Sequence, residues 1–142
     1  MKLQRKVFTG LLELAKKNGK PVSVHSRGAW QDCVGISREI GIKKAVFHWF
    51  SGPTSTLEEI LENGYYVSAT PAVAYSPEHR NIVMNTPLDN LLLETDSPVA
   101  YRGQISEPSH VLKTLAAVAE LKGKEEVIAE KTTSNSKHLF GI

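Results

Sequence analysis

Short apolar runs alternate with longer stretches of helical period along this chain. Four runs stand out: Pro21-Val22-Ser23-Val24-His25, Lys44-Ala45-Val46-Phe47-His48, Tyr65-Tyr66-Val67-Ser68-Ala69 and Leu91-Leu92-Leu93-Glu94-Thr95. Each is brief, apolar or β-branched, and bounded by turn or polar residues, the pattern of a strand buried on both faces. Pro87 before the last run and Pro98 after it leave too little room for a helix there. Leu3, Val7, Leu11, Leu14 and Ala15 fall near one face of a helix from about Lys2 to Asn18, closed by Gly19. Trp30, Cys33, Val34, Ser37 and Ile40 define a second amphipathic stretch ending at Gly41. A third helix opens at Ser55, which with Glu58 spells a capping box, and it stops at Asn63-Gly64. A short helix is predicted over 77–84, and a long one over 108–121 with Val111, Leu112, Leu115, Val118 and Ala119 on its apolar face. Two short helices, over 124–130 and 134–139, finish the chain.

One helix followed by repeated strand–helix units argues for an α/β fold with a parallel sheet and right-handed crossovers. The chain has 142 residues and no internal repeat, low-complexity segment or Gly/Ser/Pro-rich linker, so residues 1–142 read as a single domain. Hydrophobic residues make up 41% and charged residues 23%, an ordinary balance for a packed globular chain rather than a disordered one. The formal net charge is only +2, too weak for an electrostatic clamp on nucleic acid. Cys33 is the one cysteine, which excludes an intrachain disulfide and fits a reducing compartment. No apolar run approaches the roughly 20 residues of a membrane span, and the first twenty residues lack the apolar core of a signal peptide. A soluble, cytoplasmic chain without membrane partners is the expectation.

The chemistry sits where the runs end. His25 follows Val22-Ser23-Val24, His48 follows Ala45-Val46-Phe47, and Asp96 closes Leu91-Leu92-Leu93-Glu94-Thr95. Barrels and open α/β sheets place their active sites at these carboxyl ends. Two imidazoles and a carboxylate converging there suit a divalent ion such as Zn, Mn or Mg, which polarises a phosphoryl or carbonyl oxygen and acidifies a bound water. Singly, each residue has a plainer use: a histidine at a strand end as a hydrogen-bonded structural group, an aspartate before Ser-Pro as a turn cap. Three at the ends of three of the four runs favour the metal. Glu94 shares the strand face of Asp96, which makes it a supporting residue. Arg27 and Arg102 match a phosphate in geometry and charge, though a surface ion pair serves equally for Arg27. Trp49 could stack on a base or pack beneath a loop. No G-x-S-x-G elbow and no Walker loop is present, which disfavours a serine hydrolase and a P-loop nucleotide site. His79 and His138 lie on polar stretches and are expected in solvent, Cys33 is expected to pack on its helix's apolar face, and His110 has no convergent partner.

Pro21-Val22-Ser23-Val24-His25-Ser26-Arg27, Val46-Phe47-His48-Trp49-Phe50-Ser51-Gly52 and Leu92-Leu93-Glu94-Thr95-Asp96-Ser97-Pro98 closely resemble three signature segments of the TatD-like metal-dependent deoxyribonucleases. The ending Asn135-Ser136-Lys137-His138-Leu139-Phe140-Gly141-Ile142 resembles that family's terminal helix. The resemblance runs over essentially the whole chain, in order. It implies a TIM-type (β/α)8 barrel whose carboxyl-end loops hold two divalent metals and cleave phosphodiester bonds in DNA. It further implies that His25 and His48 are ligands of one metal. Asp96 then ligates the other or acts as the catalytic base on the attacking water, with Glu94 in support.

Two departures accompany the resemblance. The family's opening strand carries an H-x-H pair and its fourth a bridging glutamate in a GE-x-GLD-like turn; neither motif occurs here. The four strands match the family's last four, and Met1 falls where its fourth helix belongs, so the chain reads as the carboxyl-terminal half of a barrel. A half-barrel has two open strand edges and should associate, either with a second copy or with a complementary amino-terminal half. The alternative to a DNA phosphodiesterase is thus a catalytically incompetent half-barrel or assembly subunit; a related hydrolase acting on a non-nucleic substrate is a third reading. Ser106-Glu107-Pro108 also stands where the family commonly has Asn-Glu-Pro, after a Tyr101-Arg102-Gly103 that resembles its Arg-Gly.

Overall fold

The computed structural model describes residues 2–142. Four parallel strands, β1 (Val22–His25), β2 (Ala45–His48), β3 (Tyr66–Ala69) and β4 (Leu91–Leu93), lie in the order β1-β2-β3-β4. Register pairs His25 with His48 and Phe47 with Val67, so the strand ends that carry the predicted chemistry come level. The connecting helices are α1 (Lys2–Lys17), α2 (Trp30–Ile40), α3 (Thr54–Glu62), α4 (Pro77–Asn85), α5 (Val111–Lys122) and α6 (Glu125–Phe140).

Strand alternation divides the sheet into two unlike faces. Val24, Ala45, Phe47, Val67, Ala69 and Leu91 face the helices and form the main core with residues such as Val34, Leu57, Ile60, Ile82, Val118 and Ile128. The other face carries Val46, Tyr66 and Leu92 near the strand starts, where Leu139 of α6 packs on them. Asn135 Nδ2 fixes that helix by donating to the Leu88 and Leu91 carbonyls at 2.7 and 2.9 Å, and Lys44 Nζ donates to the His138 carbonyl at 3.1 Å.

Several local expectations need correction. The carboxyl-terminal segment is one helix, because 131–133 contains neither glycine nor proline and Thr132 Oγ1 bonds back to the Ile128 carbonyl at 2.8 Å. The Ser55–Glu58 capping box does not form: Pro53 holds an extended backbone and its carbonyl takes the first N–H groups, so α3 starts at Thr54 without a side-chain cap. Leu112 is exposed on α5 while Thr114, Ala117 and Val118 are buried. The largest difference concerns α1, which packs through Phe8 and Leu12. Its predicted stripe lies in solvent instead, with Leu3 73%, Val7 52%, Leu11 59% and Leu14 57% exposed.

A two-stranded hairpin, β5 (Ala100–Tyr101) and β6 (Gln104–Ile105), interrupts the passage from β4 to α5. Its two-residue turn, Arg102-Gly103, has φ of 50° and 84°, the left-handed pair that matches strand twist. Ser97 Oγ donates to the Ser106 carbonyl at 2.8 Å and ties the hairpin to the loop after β4.

Candidate metal centre

β2 ends on His48, and the backbone then turns sharply at Trp49, whose φ is 44°. That turn aims the Trp49 N–H at Glu94 Oε1, 3.2 Å away, and at Ser68 Oγ, 3.3 Å away. Glu94 stands just past β4, held by its N–H to the Ala69 carbonyl at 2.9 Å and by Thr114 Oγ1 on its own carbonyl at 3.0 Å. Its carboxylate accepts from His48 Nδ1 at 2.8 and 2.7 Å and from the Ser68 hydroxyl. Adjacent strands thus supply every donor to one carboxylate, because β2, β3 and β4 are parallel and in register.

The consequence falls on the imidazole. With Nδ1 donating to Glu94, the lone pair of neutral His48 is on Nε2, which faces Asp96 Oδ1 at 3.5 Å. The His48 pKa is raised, first by the Glu94 hydrogen bond and then by the charges of Glu94 and Asp96, while burial and Arg27 oppose them. One ligand atom each from His48, Glu94 and Asp96 lies within 4.8 Å of the others. A nitrogen and an oxygen 3.5 Å apart match two ligands that each stand about 2.1 Å from one ion. The donor set of imidazole and carboxylates is chemically apt for zinc, manganese or magnesium.

The other predicted residues surround this group. The His25 ring lies 5.5 Å from that of His48, on the exposed edge strand and outside the three-residue cluster. The Arg27 guanidinium sits 4.6 Å over the Trp49 ring, which itself lies 5.3 Å from Tyr101. Arg102 stands 4.3 Å over Tyr75. Gly52 is required by close approach: a Cβ there would come within 2.8 Å of both Phe50 and Trp30.

His79 departs from expectation altogether. It is fully buried, donating from Nδ1 to the Phe50 carbonyl at 3.0 Å and accepting at Nε2 from the Thr70 N–H at 3.1 Å. It joins the loop after β2 to the loop after β3, and burial lowers its pKa. The signal was present in the helical period, since residue 79 is three before Ile82 and four before Val83, both buried.

The chain is similar to known proteins in sequence and fold. A family profile described as TatD related DNase matches residues 1–141. Human "Deoxyribonuclease TATDN3" is 36% identical over 96% of this chain and 51% of its own length. The Bacillus subtilis "Uncharacterized metal-dependent hydrolase YabD" is 34% identical over 99% of this chain and 58% of its own. Among solved structures, YJJV, a TatD homologue from Escherichia coli, superposes with a TM-score of 0.85 at 28% identity, covering 92% of this chain and 54% of that one. The chain therefore spans about half the length of the relatives it matches. With shared signatures, shared fold and a profile match over nearly every residue, the chain belongs to the TatD-related DNase family.

Proposed function

We propose that this chain contributes to a divalent-metal-dependent hydrolase that cleaves phosphodiester bonds in DNA. The observation that carries the reading is the His48 Nε2 lone pair, fixed by Glu94 and facing Asp96 at 3.5 Å at the carboxyl end of a parallel sheet. His48 and Asp96 would hold the ion, with His25 joining from the neighbouring strand end and Glu94 orienting His48. A divalent ion bound there supplies Lewis acidity to a phosphoryl oxygen and lowers the pKa of a water. Asp96 would serve either as a ligand of an ion or as the catalytic base on the attacking water. Arg27 and Arg102 bind the flanking phosphate. The names of the human and Bacillus relatives, a deoxyribonuclease and a metal-dependent hydrolase, support the reaction class.

A second reading concerns assembly, and the exposed stripe of α1 favours it. β1 and β4 are both edge strands, and the sheet face carrying Ser23 and His25 is open. We infer that residues 1–142 form one domain, the carboxyl-terminal half of a TIM-type barrel. These surfaces then meet a complementary amino-terminal half or a second copy, and the half alone is catalytically incompetent. The buried lone thiol of Cys33 supports a cytoplasmic setting, and no described helix is long and apolar enough to cross a membrane.

The test pairs calorimetric titration of Mn with cleavage of end-labelled single-stranded DNA, run beside EDTA and His25→Ala. Metal-dependent cleavage lost in that variant supports a working site. Two tight Mn sites per isolated monomer would overturn the half-site reading, and no Mn binding at all would overturn the metal reading.

A further inference from the structure

Alone among the described histidines, His79 is fully buried, and it lies outside the His48–Glu94–Asp96 group. Burying an imidazole costs free energy unless its polar atoms find partners. Both ring nitrogens have one. Nδ1 donates to the Phe50 carbonyl at 3.0 Å, so Nε2 carries the lone pair, and the Thr70 N–H meets it at 3.1 Å. Burial keeps the pKa low, and the neutral ring holds this tautomer. The His79 backbone N–H donates to Ser76 Oγ at 3.3 Å in the first turn of α4. The imidazole is thus a strut, anchored in α4, between the loop after β2 and the loop after β3.

Each end of the strut holds something the site uses. Phe50 follows Trp49, whose φ of 44° puts a bulky residue in the left-handed region. Such a backbone persists only where contacts on both sides over-determine it. Upstream, the Trp49 N–H is held by Glu94 Oε1 at 3.2 Å and Ser68 Oγ at 3.3 Å. Downstream, the Phe50 carbonyl is held by His79. Freeing the downstream end lets the Trp49 N–H turn away from Glu94, the carboxylate that orients His48. At the other end, Thr70 leads into the short 3-10 helix Pro71–Ala74, which Arg80 Nη1 ties to α4 through the Val73 carbonyl at 3.2 Å. That helix delivers Tyr75, the ring under Arg102, as the β2 loop delivers Trp49, the ring under Arg27.

We propose that His79 is a positioning residue for the metal centre: by bridging the Phe50 carbonyl and the Thr70 N–H it holds the Trp49 turn, and with it the Glu94 carboxylate that aims His48. The residue touches neither ion nor substrate. The assignment rests on the metal reading for its ligand, and on the two hydrogen bonds for the strut itself.

The test compares two variants of the full chain. His79→Leu fills the space and breaks both bonds, whereas the amide of His79→Gln can donate to Phe50 and accept from Thr70. Leu12→Ala, a core truncation on α1, controls for a general loss of stability. Two quantities are read on each folded protein: Mn affinity by calorimetry and, without metal, the His48 ring N–H resonance of protein carrying isotopically labelled histidine. His79→Leu should bind Mn about tenfold more weakly, with a shifted and faster-exchanging His48 resonance. His79→Gln and Leu12→Ala should both stay near the unsubstituted chain. Either quantity left unchanged in His79→Leu would overturn the proposal, as would a glutamine variant as impaired as the leucine one. Equal impairment in Leu12→Ala would reduce the effect to stability and overturn it too. His79→Met, a flexible filler that also breaks both bonds, replaces His79→Leu if the latter does not fold. Failure of Mn to bind the unsubstituted chain counts against the metal reading instead, and the metal-free resonance still decides the role of His79.

Discussion

Val46 and Leu92 occupy the same sheet face as His48 and Glu94, two residues earlier on the same strands. That is a displacement of about 6.6 Å. At the earlier level Leu139 closes over the apolar side chains. At the later level the side chains are polar, hydrogen-bonded to one another and partly open, with His48 14% and Glu94 24% exposed. The lower layer fixes the strands, and the upper layer uses the register so fixed to aim a lone pair. Stability and chemistry are thus separated along the strand direction, on one face, by a single turn of the pleat.

Substitutions can break that separation or sharpen it. Leu139→Ala should have the largest effect, about 2–5 kcal/mol lost from unfolding free energy for a fully buried leucine, read by chemical denaturation. Metal affinity measured on the remaining folded protein should change little. If affinity collapsed with it, the two layers would be one unit. Glu94→Gln should do the reverse, since it removes the charge that fixes the His48 tautomer. Its metal affinity should fall about 10- to 100-fold by calorimetry.

The two histidines around the site offer a finer comparison through pH. His79 has a lowered folded pKa, so its contribution is full above the ordinary value of about 6.5 and is lost as pH falls toward the folded value. The slope is at most about 1.4 kcal/mol per pH unit. His48 has a raised folded pKa, so in the metal-free chain its contribution is full below about 6.5 and lost as pH rises through the folded value. Denaturation across pH 5–8 with His79→Leu and His48→Gln should therefore remove slopes of opposite sign. A same-sign change would contradict the geometry of one of them. Smallest of all, Ser68→Ala should cost about 1 kcal/mol, since it deletes one donor to a carboxylate that keeps two others.

Parallel strands were legible because strand period is a local signal; of the set expected to converge, His25, His48 and Asp96, the structure groups His48 and Asp96 with the supporting Glu94 and leaves His25 outside. His79 was misread because neighbouring residues are polar; only its spacing to Ile82 and Val83 reveals its buried side. The α1 stripe was a true periodicity with a different occupant: the helix turns Phe8 and Leu12 inward and leaves Leu3, Val7, Leu11 and Leu14 outside. The Arg102-Gly103 hairpin escaped notice because its strands are two residues each, too short for any alternation to register. Glu94 does lie beside Asp96, with ligand atoms within 4.8 Å, but its role as the acceptor from three neighbours required the register of three strands.

Cys33 gives the molecule a practical property. The thiolate is the reactive form of cysteine, and burial, with the charge of Asp32 behind it, raises the pKa of this thiol. An alkylating dye should pass over Cys33 at neutral pH, so a cysteine introduced at Val7 can be tagged selectively without removing the native one. A fluorophore there would sit on the outward side of α1 and report, through its emission colour, when something comes to cover that helix.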